Sequence, residues 1–159
     1  MTHSRTLSVS AYVVVLCGAC AGMVVLAQEK TLTRAQLPAA VEKTVAAESK
    51  GAIVQGFSTE VEDGKTLYEA SLKVNGRARN LSIDKDGTLL EVEDEVAMAS
   101  LPPAVQAALQ KAAGTGTINI VESLTKKGKL VAYEATVKTG TKSSEIQVGP
   151  DGKKLAHEE

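Results

Sequence analysis

The feature that most constrains this chain is a set of six dipeptides ending in glycine, Asp63-Gly64, Asn75-Gly76, Asp86-Gly87, Lys127-Gly128, Thr139-Gly140 and Asp151-Gly152, each set between runs that alternate apolar and polar. Such dipeptides favour tight hairpin turns, and alternation with period two is the mark of a half-buried strand. The first three separate Ile53 to Val61, Thr66 to Val74, Arg77 to Ile83 and Thr88 to Glu93, and the last three separate Thr117 to Leu124, Leu130 to Lys138, Thr141 to Val148 and Lys153 to His157. Each group reads as a four-stranded antiparallel meander. Ahead of each lies a helical stripe, Leu37, Val41 and Val45 in one case and Leu101, Val105 and Leu109 in the other, with apolar residues every four positions. Pro38 and Pro102 suit a first helical turn, and Gly51 and Gly114 supply stops.

The two stretches also match in detail. Leu37-Pro38-Ala39-Ala40-Val41 parallels Leu101-Pro102-Pro103-Ala104-Val105, and Tyr68-Glu69-Ala70 parallels Tyr133-Glu134-Ala135. The expected fold is therefore α+β, with two repeated units over residues 28–95 and 96–159, each a helix followed by a four-stranded antiparallel meander packed on one face. Units of about 60 residues sit near the lower limit for an independent core, which favours shared burial.

Residues 1–27 stand apart. A short region carrying Arg5 precedes an apolar run from Leu7 to Leu26, and Val25-Leu26-Ala27 precedes the polar Gln28-Glu29-Lys30. This is the pattern of an export signal cleaved after Ala27. The run is also long enough to span a bilayer if retained, and Cys20 after Gly18-Ala19 has part of a lipidation pattern, with Cys17 where such signals prefer Leu. Cleavage implies a periplasmic or secreted protein without stable membrane association. Retention implies an envelope sensory or structural domain that binds a small ligand or ion.

Composition narrows the chemistry. Both cysteines and Arg5 fall in the leader, so the remainder has no thiol and a small acidic excess; its imidazole and aromatic groups are His157, Phe57, Tyr68 and Tyr133. A Ser-His-Asp triad needs its His held near a Ser and an acid and a catalytic zinc site needs several His or Cys ligands, whereas His157 stands alone near the end of the sequence. No glycine-rich phosphate loop joins a strand to a helix, and paired carboxylates would have little aromatic surface on which to stack a sugar. Asp84 and Asp86 suggest the opening of a calcium loop, but Leu89 occupies the position that requires Gly. The expectation is no enzyme, no cofactor, no metal and, from the near-neutral charge, no nucleic acid.

Leu-Pro opening a helix, a strand with Tyr-Glu-Ala, and Ile83-Asp84-Lys85-Asp86-Gly87-Thr88-Leu89-Leu90 together resemble a PepSY-like domain. The second stretch, Ile146-Gln147-Val148-Gly149-Pro150-Asp151-Gly152, keeps the Asp-Gly turn and has Gly149 where the pattern has its first Asp. Covering nearly all of 37–159, the arrangement is similar to exported beta-lactamase-inhibitor-like proteins. That resemblance implies a broad antiparallel sheet with helices on one face, and binding or inhibition of extracytoplasmic proteins, hydrolases among them, without a shared catalytic residue.

Alternation then assigns faces. Tyr68, Ala70, Leu72 and Val74 share one face with the core, as do Val131, Tyr133, Ala135 and Val137. The opposite face carries Glu69, Ser71 and Lys73 in one strand and Glu134, Thr136 and Lys138 in the other, and these six are the candidate partner-binding residues. Arg77 and Arg79 offer an anion site or plain solubilising charge. Glu91, Glu93, Asp94 and Glu95 read as a solvated acidic junction between the units, able to attract a cation or a basic partner.

Overall fold

In the computed structural model, which describes residues 30–62, 64–157 and 159, the alternating runs form strands close to their expected bounds: β2 (Ile53–Glu62), β3 (Lys65–Val74), β4 (Arg77–Asp84), β5 (Leu89–Glu95), β6 (Thr117–Lys126), β7 (Lys129–Thr139) and β8 (Lys142–Val148). A three-residue strand that the sequence reading missed, β1 (Lys30–Leu32), adds to the outer edge of β2. The periodic stripes form α1 (Ala39–Glu48) and α2 (Pro103–Ala113), each entered through a proline and preceded by a single 3-10 turn. The leader predicted over 1–27 lies outside the described residues.

All eight strands belong to one antiparallel sheet in chain order, β1 to β8. This overturns the expectation of two repeated helix-plus-four-strand units: the molecule is mostly β, one continuous sheet carrying two short helices. The physical cause lies at two places. First, β5 and β6 pair directly, from Glu91 opposite Lys126 to Glu95 opposite Glu122, so no unit boundary interrupts the ladder near residue 95. Second, the expected strand over 153–157 does not form. Gly149 and Lys153 share one backbone hydrogen bond across the 150–152 turn, and the chain then leaves the edge of β8. Pro150 has no N–H to offer a ladder there.

The helices lie against one face. Val41 and Val45 of α1, with Leu37, pack on Ala70, Leu72, Leu81 and Ile83; Val105 and Leu109 of α2, with Leu101, pack on Val121, Ala135 and Val148. Tyr68 and Tyr133 lean against these clusters from the same side. The turns that follow β4 and β8 dock on the helices so closely that only glycine fits: a Cβ at Gly87 would lie 2.7 Å from the Ala40 carbonyl oxygen, and one at Gly152 would lie 2.6 Å from that of Ala104. Both glycines also have positive φ, which L side chains rarely adopt. Thr44 fastens the first contact by donating its hydroxyl to the Gly87 carbonyl at 2.6 Å.

One face assignment from the sequence needs correction. Leu124 of β6 stands opposite Ala132 while Thr125 stands opposite Leu130, which leaves Val131 as the extra residue of a bulge. Beyond it the phase of β7 reverses, so Leu130, not Val131, continues the face of Tyr133, Ala135 and Val137.

Candidate functional site

With both helices on one side, the other side of the sheet is open. Directly opposite residues in adjacent strands share a face, so the register places every side chain. Glu69 lies between Ser58 and Ser82, Ser71 between Gly56 and Asn80, and Lys73 between Ile53 and Ala78. Glu134 lies between Glu122 and Gln147, Thr136 between Ile120 and Glu145, and Lys138 between Thr117 and Ser143. All six candidates therefore occupy the open face, but they are not one cluster. The two triplets belong to β3 and β7, four strand spacings or about 19 Å apart.

What lies between them was misread in the sequence. The acidic run at 91–95 is not a junction; it is the middle of strand β5. Alternation sends Glu91, Glu93 and Glu95 to the open face and Asp94 to the helix face, where it accepts both nitrogens of the Arg79 fork, Nη2 to Oδ2 at 3.0 Å. Arg79 is thereby committed to an ion pair rather than to a bound anion. Across the ladder, Glu95 stands opposite Glu122 and Glu122 opposite Glu134. Three carboxyls thus stand side by side on three neighbouring strands, with Glu93 and Glu91 in the adjoining rows and Glu145 beside Thr136. The signal was present: Glu93, Glu95 and Glu122 each alternate with an apolar or helix-facing neighbour, but their pairing across strands cannot be read from one strand at a time.

Like charges directly opposite destabilise a sheet, and the face answers by holding protons. Burial, reinforced by Glu122, Glu91 and Glu134, pushes the Glu93 carboxyl up to about 8, against a hydrogen bond from Asn80 that favours its charged form. Burial, then Glu134, Glu145 and Glu95, pushes Glu122 up to about 7. Both are half-buried. Their neighbours are tied locally: Glu69 accepts the Ser58 hydroxyl at 2.6 Å, Glu134 accepts the Gln147 amide at 2.7 Å, and Lys126 Nζ lies 3.3 Å from Glu91. Lys138 stands outside the glutamate rows, between Thr117 and Ser143, while Lys73 lies at the far end of the Glu95 row with Ala78 between them.

The arrangement offers a broad acidic surface. Among the described residues, no group of His, Cys, Asp and Glu side chains is placed to hold a metal ion, and no helix is long and apolar enough to cross a membrane.

No family model matches the chain, and no curated protein matches it. Solved structures do. A BLIP-like protein from Bacteroides fragilis superposes with a TM-score of 0.54 at 22% identity, over 76% of this chain and 83% of that one. A DUF2874 family protein from Bacteroides ovatus gives 0.59 at 18% identity, over 76% and 85%. A Bacteroides eggerthii protein named among "putative periplasmic proteins" gives 0.59 at 15%, over 74% and 84%. At these identities the likeness is one of fold.

Proposed function

We propose that this chain is an exported, non-catalytic module that binds an extracytoplasmic protein, a hydrolase being the first candidate, through the open face of its sheet. The observation that carries this reading is the glutamate field over β5, β6 and β7, built where nothing in the core demands it and kept at an electrostatic cost that a merely solvated face would avoid. The face lacks Trp, Tyr and Arg, the residues that dominate most protein interfaces. Its contribution is therefore charge complementarity, which steers encounter and sets specificity for a basic surface. The leader-like segment at 1–27 supports export, the BLIP-like and periplasmic names of the structural neighbours accord with it, and the absence of a triad in the sequence supports a binding role.

The test is affinity capture from the envelope fraction of the producing cells with tagged residues 28–159, repeated at raised salt. A single protein should be retained in stoichiometric amount and released by salt. At pH 9, where Glu93 and Glu122 are ionised, Glu93→Gln with Glu122→Gln and Glu134→Gln should weaken its capture at least tenfold with the fold intact, and Ala at Glu69, Lys73, Glu134 and Lys138 should map the margins. Capture indifferent to all seven substitutions would place the interface elsewhere. Assay of a captured hydrolase with and without the module decides between binding and inhibition.

A further inference from the structure

The open face is not equally open along its length. Leu124 and Ala132 point to it, yet they are 2% and 0% exposed. Extending the β7–β8 register by one residue from Tyr133 opposite Val148 sets Gly149 beside Ala132, giving a floor of Leu124, Ala132 and Gly149 across three strands. The segment after the 150–152 turn passes over this floor. Leu155 Cδ2 would lie 3.4 Å from a Cβ built on Gly149. Further on, the backbone N–H of Glu159 donates to Gln147 Oε1 at 2.9 Å, and the Glu159 carboxylate lies 4.0 Å from Lys126 Nζ. Gln147 in turn holds Glu134, and Lys126 holds Glu91, so the segment is tied at both sides to the glutamate field. Gly149 has no positive φ to explain it; a Cβ there would meet Asp151 Oδ1 at 3.2 Å and both Leu155 Cδ2 and the Lys153 carbonyl oxygen at 3.4 Å, so the turn and Leu155 together close over it.

We propose that the segment after the 150–152 turn, described at residues 153–157 and 159, forms a strap closed across the β6–β8 part of the open face, and that a partner reaches Glu134 and its neighbours by displacing it. The second clause rests on the docking reading above; the closed strap does not. Among the described residues its contacts with the sheet are the Gly149–Lys153 backbone hydrogen bond at its root, one side chain on a glycine, one hydrogen bond to a side chain and one long ion pair, and beyond the root that set is weak enough to open without disturbing the ladder.

The experiment uses the full chain with Cys17 and Cys20 changed to Ser and a single thiol introduced as Ala132→Cys, with alkylation followed in the absence of any partner. The thiol should react slowly, and adding Leu155→Ala with Gln147→Ala should speed it at least tenfold while circular dichroism stays unchanged. Equal rates in the two proteins overturn the strap. A second measurement avoids the cysteine: nuclear Overhauser contacts should join the Leu155 methyls to the Gly149 α-protons, and their absence overturns it as well. Because neither measurement involves a partner, failure here leaves the docking proposal standing, and failure of the capture experiment leaves the strap standing.

Discussion

Replacing Glu122 by Gln tests whether the glutamate field carries the electrostatic load its register implies. In the folded chain burial and the carboxyls of Glu134, Glu145 and Glu95 raise this group from 4.5 to about 7. A raised folded-state value means that the folded form holds the proton more tightly than the unfolded form. The group therefore costs nothing below about pH 4.5, destabilises progressively as pH climbs through the interval up to about 7, and imposes a constant penalty above it. At full strength the shift corresponds to about 3 kcal/mol. Since the side chain is half-buried, solvent screening reduces this to about 1–2 kcal/mol. Glutamine keeps the shape of the protonated acid and never ionises. Urea denaturation of Glu122→Gln should therefore show a gain of about 1–2 kcal/mol at pH 8 and none at pH 4.5, with unchanged m-value. Combining it with Glu93→Gln should give less than the sum of the single gains, because each removes part of the other's repulsion. A gain equal at the two pH values, or a loss at pH 8, would refute the reasoning.

Three further outcomes probe the fold that holds this face. Leu72→Ala, at a fully buried position under α1, should cost about 2–5 kcal/mol in urea melts, and a cost under about 1 kcal/mol would mean that the first core cluster is not packed as described. Gly87→Ala should cost at least about 1 kcal/mol more than Gly76→Ala: both glycines have φ near +87, but only the first meets a carbonyl at 2.7 Å, so equal losses would remove the docking contact from the account. Asp94→Asn should lower stability by about 1 kcal/mol by halving the charge of the Arg79 pair, an effect that weakens in high salt, and a salt-independent loss would point instead to packing.

Much of the local structure was legible in the sequence because it depends on neighbours along the chain. The glycine dipeptides mark turns through their own φ, and Gly64, Gly76, Gly87, Gly128, Gly140 and Gly152 all have it positive. Alternation fixed which residues of β3 share a face, and the four-residue spacing of Leu37, Val41 and Val45 marked the first helical face. The failures share a cause of another kind. A repeated sequence pattern looked like repeated units because nothing in a single strand says which strand lies beside it; the β5–β6 ladder joined what the pattern divided. The bulge at Val131 exists only in relation to Thr125 and Leu124 opposite. The glutamates of 91–95 looked like a solvated linker because their charge argues for water, whereas the sheet holds them because Leu89 and Val92 in the same strand pack against the first core cluster.

Sequence by itself determined the turns, the helix faces and the faces of the unbulged strands. Tertiary structure alone decided that Glu95, Glu122 and Glu134 stand abreast, that Asp94 turns to Arg79 on the opposite side, and that residues 153–157 leave the sheet edge instead of adding a strand. The physical reason is one of range. Dihedral preference and periodicity act over a few residues and are written in order along the chain. Cross-strand repulsion, desolvation and a shared proton depend on distances between strands, and those are set only when the hydrophobic cores choose the register.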